Sequence, residues 1–245
     1  MRSVLNERER ERYGRQLLLA EIGEEGQERL KRARVAVAGV GGLGSVISLY
    51  LTAAGVGSIR IIDHDKVSLS DLNRQVLYAS GDAGCSKVDV AKKRLTALNP
   101  EVKVEAVGGE ITPGNIMELV SGCDLIVDGL DGLAARYVIN HASVRLGIPL
   151  VHGAVYGFEG RVMTVIPGRT PCLRCLYSDT VPADEIPVLG TTPAVIGCIQ
   201  ATEVIKYIIG SGDLLLNRLL IYDGLGSRFR EVVVERDVAC EECRH

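Results

Sequence analysis

The stretch Val35-Ala36-Val37-Ala38-Gly39-Val40-Gly41-Gly42-Leu43-Gly44 constrains this chain more than any other. An apolar run ends in a glycine cluster, and a second apolar run follows. That order reads as a buried strand, a tight turn and a helix. Gly39, Gly41, Gly42 and Gly44 let the backbone turn sharply and leave no Cβ between it and a phosphate. The helix N-terminus beyond the turn favours negative charge. Asp63 ends the next apolar run, where a carboxylate can bind ribose hydroxyls. Taken alone, this signal fits NAD, FAD or ATP.

Apolar runs and helical patterns alternate after the turn. Residues 58–63, 102–107, 124–128 and 149–155 read as strands. Helices are expected from Leu43 to Gly55 or Gly57, Cys85 to Leu98, Pro113 to Val120 and Ala134 to Leu146. Alternation of this kind points to an α/β fold with a Rossmann-like doubly wound sheet. The pattern changes after about residue 155. Gly160–Ile166, Asn217–Tyr222 and Phe229–Val234 read as strands with one helix, Ala194–Ile209, among them. The sheet is therefore expected to be parallel in its N-terminal part and antiparallel in its C-terminal part. Residues 6–32 read as two helices broken at Gly23 and Gly26, and 178–193 as a long surface loop. The 245 residues are read as one domain. Its parts are N-terminal helices (1–32), a nucleotide-binding part (33–156), and a C-terminal sheet with a crossover loop and a cysteine clip (157–245).

Three features bear on which nucleotide is held. The polar stretch Asp65–Gln75 contains Arg74, and Lys87 stands at the start of a predicted helix. A triphosphate needs such cations, whereas a dehydrogenase needs no arginine there. Asp128 and Asp131 lie at the end of the fourth strand, where a carboxylate can hold Mg²⁺. Asp131 also fits a plain helix N-cap.

Cys172-Leu173-Arg174-Cys175 and Cys240-Glu241-Glu242-Cys243 form two CxxC pairs, and four thiolates complete a tetrahedron around zinc. Such sites bind with roughly 10–16 kcal/mol, large against a protein stability of about 5–15 kcal/mol. Cys123 and Cys198 read as core residues, and His141 and His152 as ordinary packing. The net charge of −3 argues against bulk nucleic-acid binding. No apolar run reaches the length of a membrane span, and Met1–Arg10 lacks a signal peptide's apolar segment. A cytoplasmic protein is the expectation.

These motifs together resemble the MoeB/ThiF/HesA group, the prokaryotic relatives of ubiquitin-activating enzymes. The resemblance rests on Arg12-Tyr13-Gly14-Arg15-Gln16, the glycine turn, Asp63-His64-Asp65, the 67–75 stretch, Lys87, Asp128 to Asp131 and both cysteine pairs, nearly the whole chain. It implies ATP-dependent adenylation of the C-terminal glycine of a small ubiquitin-like sulfur carrier ending in Gly-Gly. It implies a nucleotide site of Gly39, Gly41, Gly42, Gly44, Asp63, Asp65, Asp71, Arg74, Gln75, Lys87 and Asp131, with Mg²⁺ on Asp131. Arg15 becomes an arginine finger reaching into the other subunit of a homodimer, and Arg15, Arg74, Lys87 and Asp131 the catalytic set.

Asp71 and Gly132 stand where that group usually has Asn. An aspartate there is repulsive to a triphosphate unless a cation sits beside it. Residues 176–197 contain no cysteine, so the chemistry is expected to stop at the adenylate, as in the molybdopterin-synthase type. No sulfur-transfer domain is expected after Cys243. Asp179, Asp184 and Glu185 are candidates for steering the choice of carrier, of the molybdopterin, thiamine, cysteine or thiolated-tRNA kind. The alternatives are a non-catalytic partner of a ubiquitin-like protein, an NAD-dependent dehydrogenase, or adenylation of a peptide, small carboxylate or tRNA base.

Overall fold

A computed structural model of the protein describes residues 5–177 and 187–243. The expected alternation builds one mixed sheet. Among the described residues its strands are β1 (Arg34–Ala38), β2 (Ser58–Asp63), β3 (Lys103–Gly108), β4 (Leu125–Asp128), β5 (Leu150–Tyr156), β6 (Glu159–Val165), β7 (Arg218–Asp223) and β8 (Arg228–Val233). Their order across the sheet is β3-β2-β1-β4-β5-β6-β7-β8. The first five strands pair in parallel, and β5 through β8 pair antiparallel. The change of direction falls at residues 157–158, between β5 and β6, close to where the sequence pattern changes.

Side chains of β1 alternate between two apolar cores, as the strand period requires. Val35 and Val37 face Ile47 and Leu51 of α4 (Gly42–Ala54), Leu95 of α5 (Lys87–Leu98) and Val204 of α9 (Thr191–Ile209). Ala36 and Ala38 face Ile116 of α6 (Ile116–Leu119) and Ile139 of α7 (Leu133–Leu146). The second core continues through Leu173 of α8 (Leu173–Leu176) into Cys172, Cys240 and Cys243, so the cysteine clip closes one end of that layer.

The N-terminal segment differs in detail from its sequence reading. It forms α1 (Glu7–Arg12), α2 (Gly14–Leu17) and α3 (Gly23–Arg32). The break comes at residues 18–22, and Gly26 lies inside α3. A Cβ on Gly26 would meet Ile22 at 3.3 Å and Ile209 at 3.5 Å, so this glycine serves the approach of α3 to the end of α9. The expected helix from Pro113 shortens to α6, because the Asn115 side chain ties up Thr112 N–H and Glu110 C=O in a turn. Helix α9 starts three residues earlier than Ala194. Pro193 sits in its first turn, where the missing N–H costs nothing. Most of the expected surface loop, with Asp179, Asp184 and Glu185, lies outside the described residues. Residues 187–189 are bonded to the β5–β6 turn, with Gly157 N donating to Pro187 O and Leu189 N to Gly157 O. Cys123 and Cys198, expected in the core, are half-buried. Among the described residues no helix is long and apolar enough to cross a membrane.

Candidate active site

The glycine turn is fixed first by backbone packing. Gly39 has φ +85°, and a Cβ there would lie 2.7 Å from Gly129 O. A Cβ on Gly44 would lie 1.9 Å from Gly39 O. These two glycines are demanded by the crossing of β1, α4 and the end of β4. Gly41 differs. It caps α4, and a Cβ there would meet nothing nearer than the Gln75 side chain at 3.6 Å. The space over Gly41 and the free N–H groups of the first turn of α4 are where an anion can approach.

Asp63, at the end of β2, turns back onto this loop. Its Oδ2 accepts from Val40 N and its Oδ1 from Asp65 N, both at 2.8 Å. The buried Tyr78 hydroxyl donates to Val40 O at 2.8 Å and holds the other side of the turn. Burial, and then the charges of Asp63 and Asp71, push the Tyr78 hydroxyl far above its ordinary pKa, so it stays a donor. The sequence reading did not single out Tyr78, and no local pattern marks it.

The polar stretch after β2 forms a cation pocket. Lys87, the first residue of α5, is 4% exposed. Its Nζ lies 2.9 Å from Asp65 Oδ2 and 3.7 Å from Asp71 Oδ2. Arg74 Nη2 lies 3.5 Å from Asp71 Oδ1, and Arg74 Cγ lies against Gly42. Asp71 also accepts from Ser68 N and from Gln75 Nε2, each at 2.9 Å. Burial raises the Asp71 pKa, but the Ser68 hydrogen bonds with Lys87 and Arg74 outweigh it and hold the carboxyl below its ordinary value. The cations that an aspartate at this position requires are present. Gln75 Oε1 is buried without a hydrogen-bond partner among the described residues. Residue 190 packs onto Asn73 and Arg74, and Pro193 onto Gly42, so the start of α9 walls this side.

The two carboxylates after β4 have different fates. Asp128 is fully buried. Its Oδ2 meets His152 Nδ1 at 2.6 Å and Arg136 Nε at 3.2 Å, and its Oδ1 accepts from Leu130 N at 3.0 Å. It is not available to a cation. Asp131 is exposed, and the N-cap of α7 is Gly132, so Asp131 is not spent on capping. Leu130 N lies 3.3 Å from the Cβ position of Gly39, which places Asp131 one residue beyond a direct contact with the glycine turn. His152, read as ordinary packing, is a fully buried partner of Asp128.

Arg15 is not brought to this pocket. It is exposed on α2, and α2 is anchored at the far end of α4. Gln16 Nε2 donates to Ala54 O at 3.0 Å, and the Tyr13 ring fills the space beside Gly55. Helix α4 has 13 residues, so the glycine turn is about 20 Å away.

The four cysteines of the two pairs do meet. Cys172 and Cys240 sulfurs lie 3.8 Å apart and those of Cys175 and Cys243 3.5 Å apart, with all four within 4.8 Å of one another. A tetrahedral zinc with Zn–S of about 2.3 Å needs sulfurs about 3.8 Å apart, so this donor set fits the ion. Burial pushes the Cys172 thiol up. For Cys240 burial also raises the value, but backbone N–H groups of Cys243 and Glu242 outweigh it and favour the thiolate. His141, on α7, bonds Glu242 at 2.9 Å and ties the second pair to that helix.

A model of the ThiF family matches residues 13–242. The sulfur carrier protein adenylyltransferase of Thermus thermophilus is 44% identical over 246 residues, 96% of this chain and 91% of that protein. The SAMP-activating enzyme E1 of Haloferax volcanii is 40% identical over 239 residues, 95% of this chain and 88% of that protein. Among solved structures, that of E. coli MccB with ATP superposes with a TM-score of 0.87 at 25% identity, over 96% of this chain and 75% of that one.

Proposed function

The chain belongs to the ThiF family, and from that premise we propose that it adenylates the C-terminal glycine of a small ubiquitin-like sulfur carrier ending in Gly-Gly. The observation that carries this reading is the buried Lys87 beside Arg74 at the edge of the glycine turn. A buried ammonium and a guanidinium facing helix N–H groups suit a triphosphate. A dinucleotide used for hydride transfer leaves both cations, and the cysteine clip, without a purpose. The name of the Thermus relative, a sulfur carrier protein adenylyltransferase, agrees with a carrier substrate.

On this reading the carrier's terminal carboxylate attacks the α-phosphorus of ATP. A bond forms between carboxylate oxygen and α-phosphorus, the bond to the bridging oxygen breaks, and pyrophosphate leaves. Gly41, Gly42 and Asp63 hold adenosine and ribose, with Gly39 and Gly44 shaping the turn. Arg74, Gln75 and Lys87 hold phosphates, and Asp65 and Asp71 hold Lys87 in place. Asp131 is the residue that would hold Mg²⁺, which supplies further positive charge to the phosphates. Two anions must be brought together, so neutralising and aligning them is the main task of the site.

Arg15 acts from a second copy of the chain. Its distance from the glycine turn of its own subunit is what supports this. Cys172, Cys175, Cys240 and Cys243 hold a structural zinc, since four thiolates leave no open coordination position. Residues 1–245 act as a single adenylation domain, and the product serves later sulfur transfer of the molybdopterin or thiamine type.

Trapping tests the reading. With ATP, Mg²⁺ and a matched carrier, added hydroxylamine is expected to convert the carrier's C-terminal glycine to a hydroxamate visible by mass spectrometry. Absence of hydroxamate with every Gly-Gly carrier tried, from protein that binds ATP, contradicts it.

A further inference from the structure

We infer that His152 and Tyr177 are positioning residues: with Asp128 they form a buried hydrogen-bonded chain that fixes the loop leading to Asp131 and ties it to the segment following the first cysteine pair. The inference rests on the adenylation reading above for the role of Asp131.

The chain is continuous and its direction is set by chemistry. His152 Nδ1 lies 2.6 Å from Asp128 Oδ2, and His152 Nε2 lies 2.8 Å from the Tyr177 hydroxyl. A carboxylate only accepts, so Nδ1 carries the proton. Burial keeps the imidazole neutral, working against Asp128, which favours the charged form. Nε2 must then accept, and the Tyr177 hydroxyl must donate. The donors Tyr177 and His152 therefore both point toward Asp128. The two rings also pack edge to face, with centroids 5.5 Å apart.

Both ends of the chain are anchored where function lies. At one end Asp128 Oδ1 accepts from Leu130 N, Arg136 Nη2 donates to Leu130 O, and Gly129 N donates to Ala38 O. Gln200 Nε2 holds Asp128 O at 2.8 Å. The backbone is thus fixed through residue 130, and Asp131 is the first residue free to face a ligand. At the other end Tyr177 N donates to Leu173 O, and Tyr177 O accepts from the Tyr137 hydroxyl at 3.1 Å. Tyr177 stands two residues after Cys175. Tyr177 is held at three points, two through its backbone and one through its hydroxyl, so the aspartate at the far end of the chain inherits its position.

Tyr177→Phe tests the inference, because it removes one hydroxyl and keeps the ring. Two readouts are compared with the wild type. In carrier-dependent turnover, kcat is expected to fall about tenfold while KM for ATP stays unchanged. In hydrogen exchange of the free protein, the amides of 129–132 are expected to exchange about tenfold faster, with those of β1 unchanged. His152→Gln combined with Tyr177→Phe should lose no more kcat than the larger single effect, as for groups acting in one chain. Unchanged exchange at 129–132, or faster exchange spread equally over β1, overturns the inference whatever the activity. Absence of turnover in the wild type refutes the adenylation reading instead, and the two failures are thereby told apart.

Discussion

Asp71 carries a charge that a triphosphate site should reject, yet it is one of the most heavily bonded carboxylates in the pocket. Its four partners, Ser68, Gln75, Lys87 and Arg74, make it an orienter of cations more than a rival for them. Its pKa is held below the ordinary value. A depressed carboxyl stabilises the fold fully above the unfolded value of about 3.9, and that contribution is lost as pH falls below it. Asp71→Asn is therefore expected to lower Tm at neutral pH and to flatten the acid limb of the stability profile. Because Asp71 aims Lys87 and Arg74 at the phosphate pocket, ATP affinity should fall, by about fivefold. Titration calorimetry and melting curves from pH 7 to pH 3 check both. Tighter ATP binding would mean that Asp71 repels phosphate more than it aims Lys87. The residue scale is also where sequence reading fell short. Asp63, Arg74 and Lys87 were legible because local strand and helix signals place them. His152 and Tyr177 were not, since Asp128 lies 24 residues before His152 and Tyr177 lies 25 after it. Only the sheet brings such partners together.

Elements fared better, because periodicity and punctuation are local. The glycine turn, the strands and the helices α4, α5, α7 and α9 were placed to within a few residues. The misses have particular causes, such as the Asn115 turn that shortens α6 and the helix contact that occupies Gly26. Within the turn, the glycines divide by purpose. Gly44→Ala would drive a Cβ into Gly39 O, at 1.9 Å. It is expected to cost about 3 kcal/mol or more of stability. Gly41→Ala meets only the Gln75 side chain, at an ordinary contact distance of 3.6 Å, and should lower Tm much less, while ATP affinity is lost. Equal destabilisation by the two would show that Gly41 is also a packing residue. The cysteine clip acts on elements too, since its sulfurs continue the core under α7. Removal of the metal by a strong chelator, with its loss verified, is expected to lower Tm and to speed amide exchange in β7 and the 234–243 segment. An unchanged melting curve contradicts a structural role.

At the scale of the whole molecule the proposed function requires a site shared between two chains. The nucleotide pocket is built at the N-terminus of α4, and Arg15 is held at its opposite end. One chain cannot fold Arg15 into its own pocket without unmaking the Tyr13 and Gln16 anchors. Arg15→Ala is expected to keep ATP binding and lose most adenylation. Lys87→Ala is expected to lose both. If the finger acts between subunits, mixing the two inactive variants should restore about a quarter of wild-type activity, since half the dimers carry one intact site. No recovery after verified subunit exchange would place Arg15 outside the mechanism. The separation of Arg15 from the glycine turn by the length of α4 was invisible to motif spacing, which fixes neighbours along the chain and not the ends of a helix.

The most direct test of the account is ATP–pyrophosphate exchange with Mg²⁺, run against ubiquitin-fold carriers with and without their Gly-Gly tails. The account predicts exchange with a matched carrier, abolished when the tail is removed. Exchange that persists without the tail, or none with any carrier from protein that binds ATP, would contradict it.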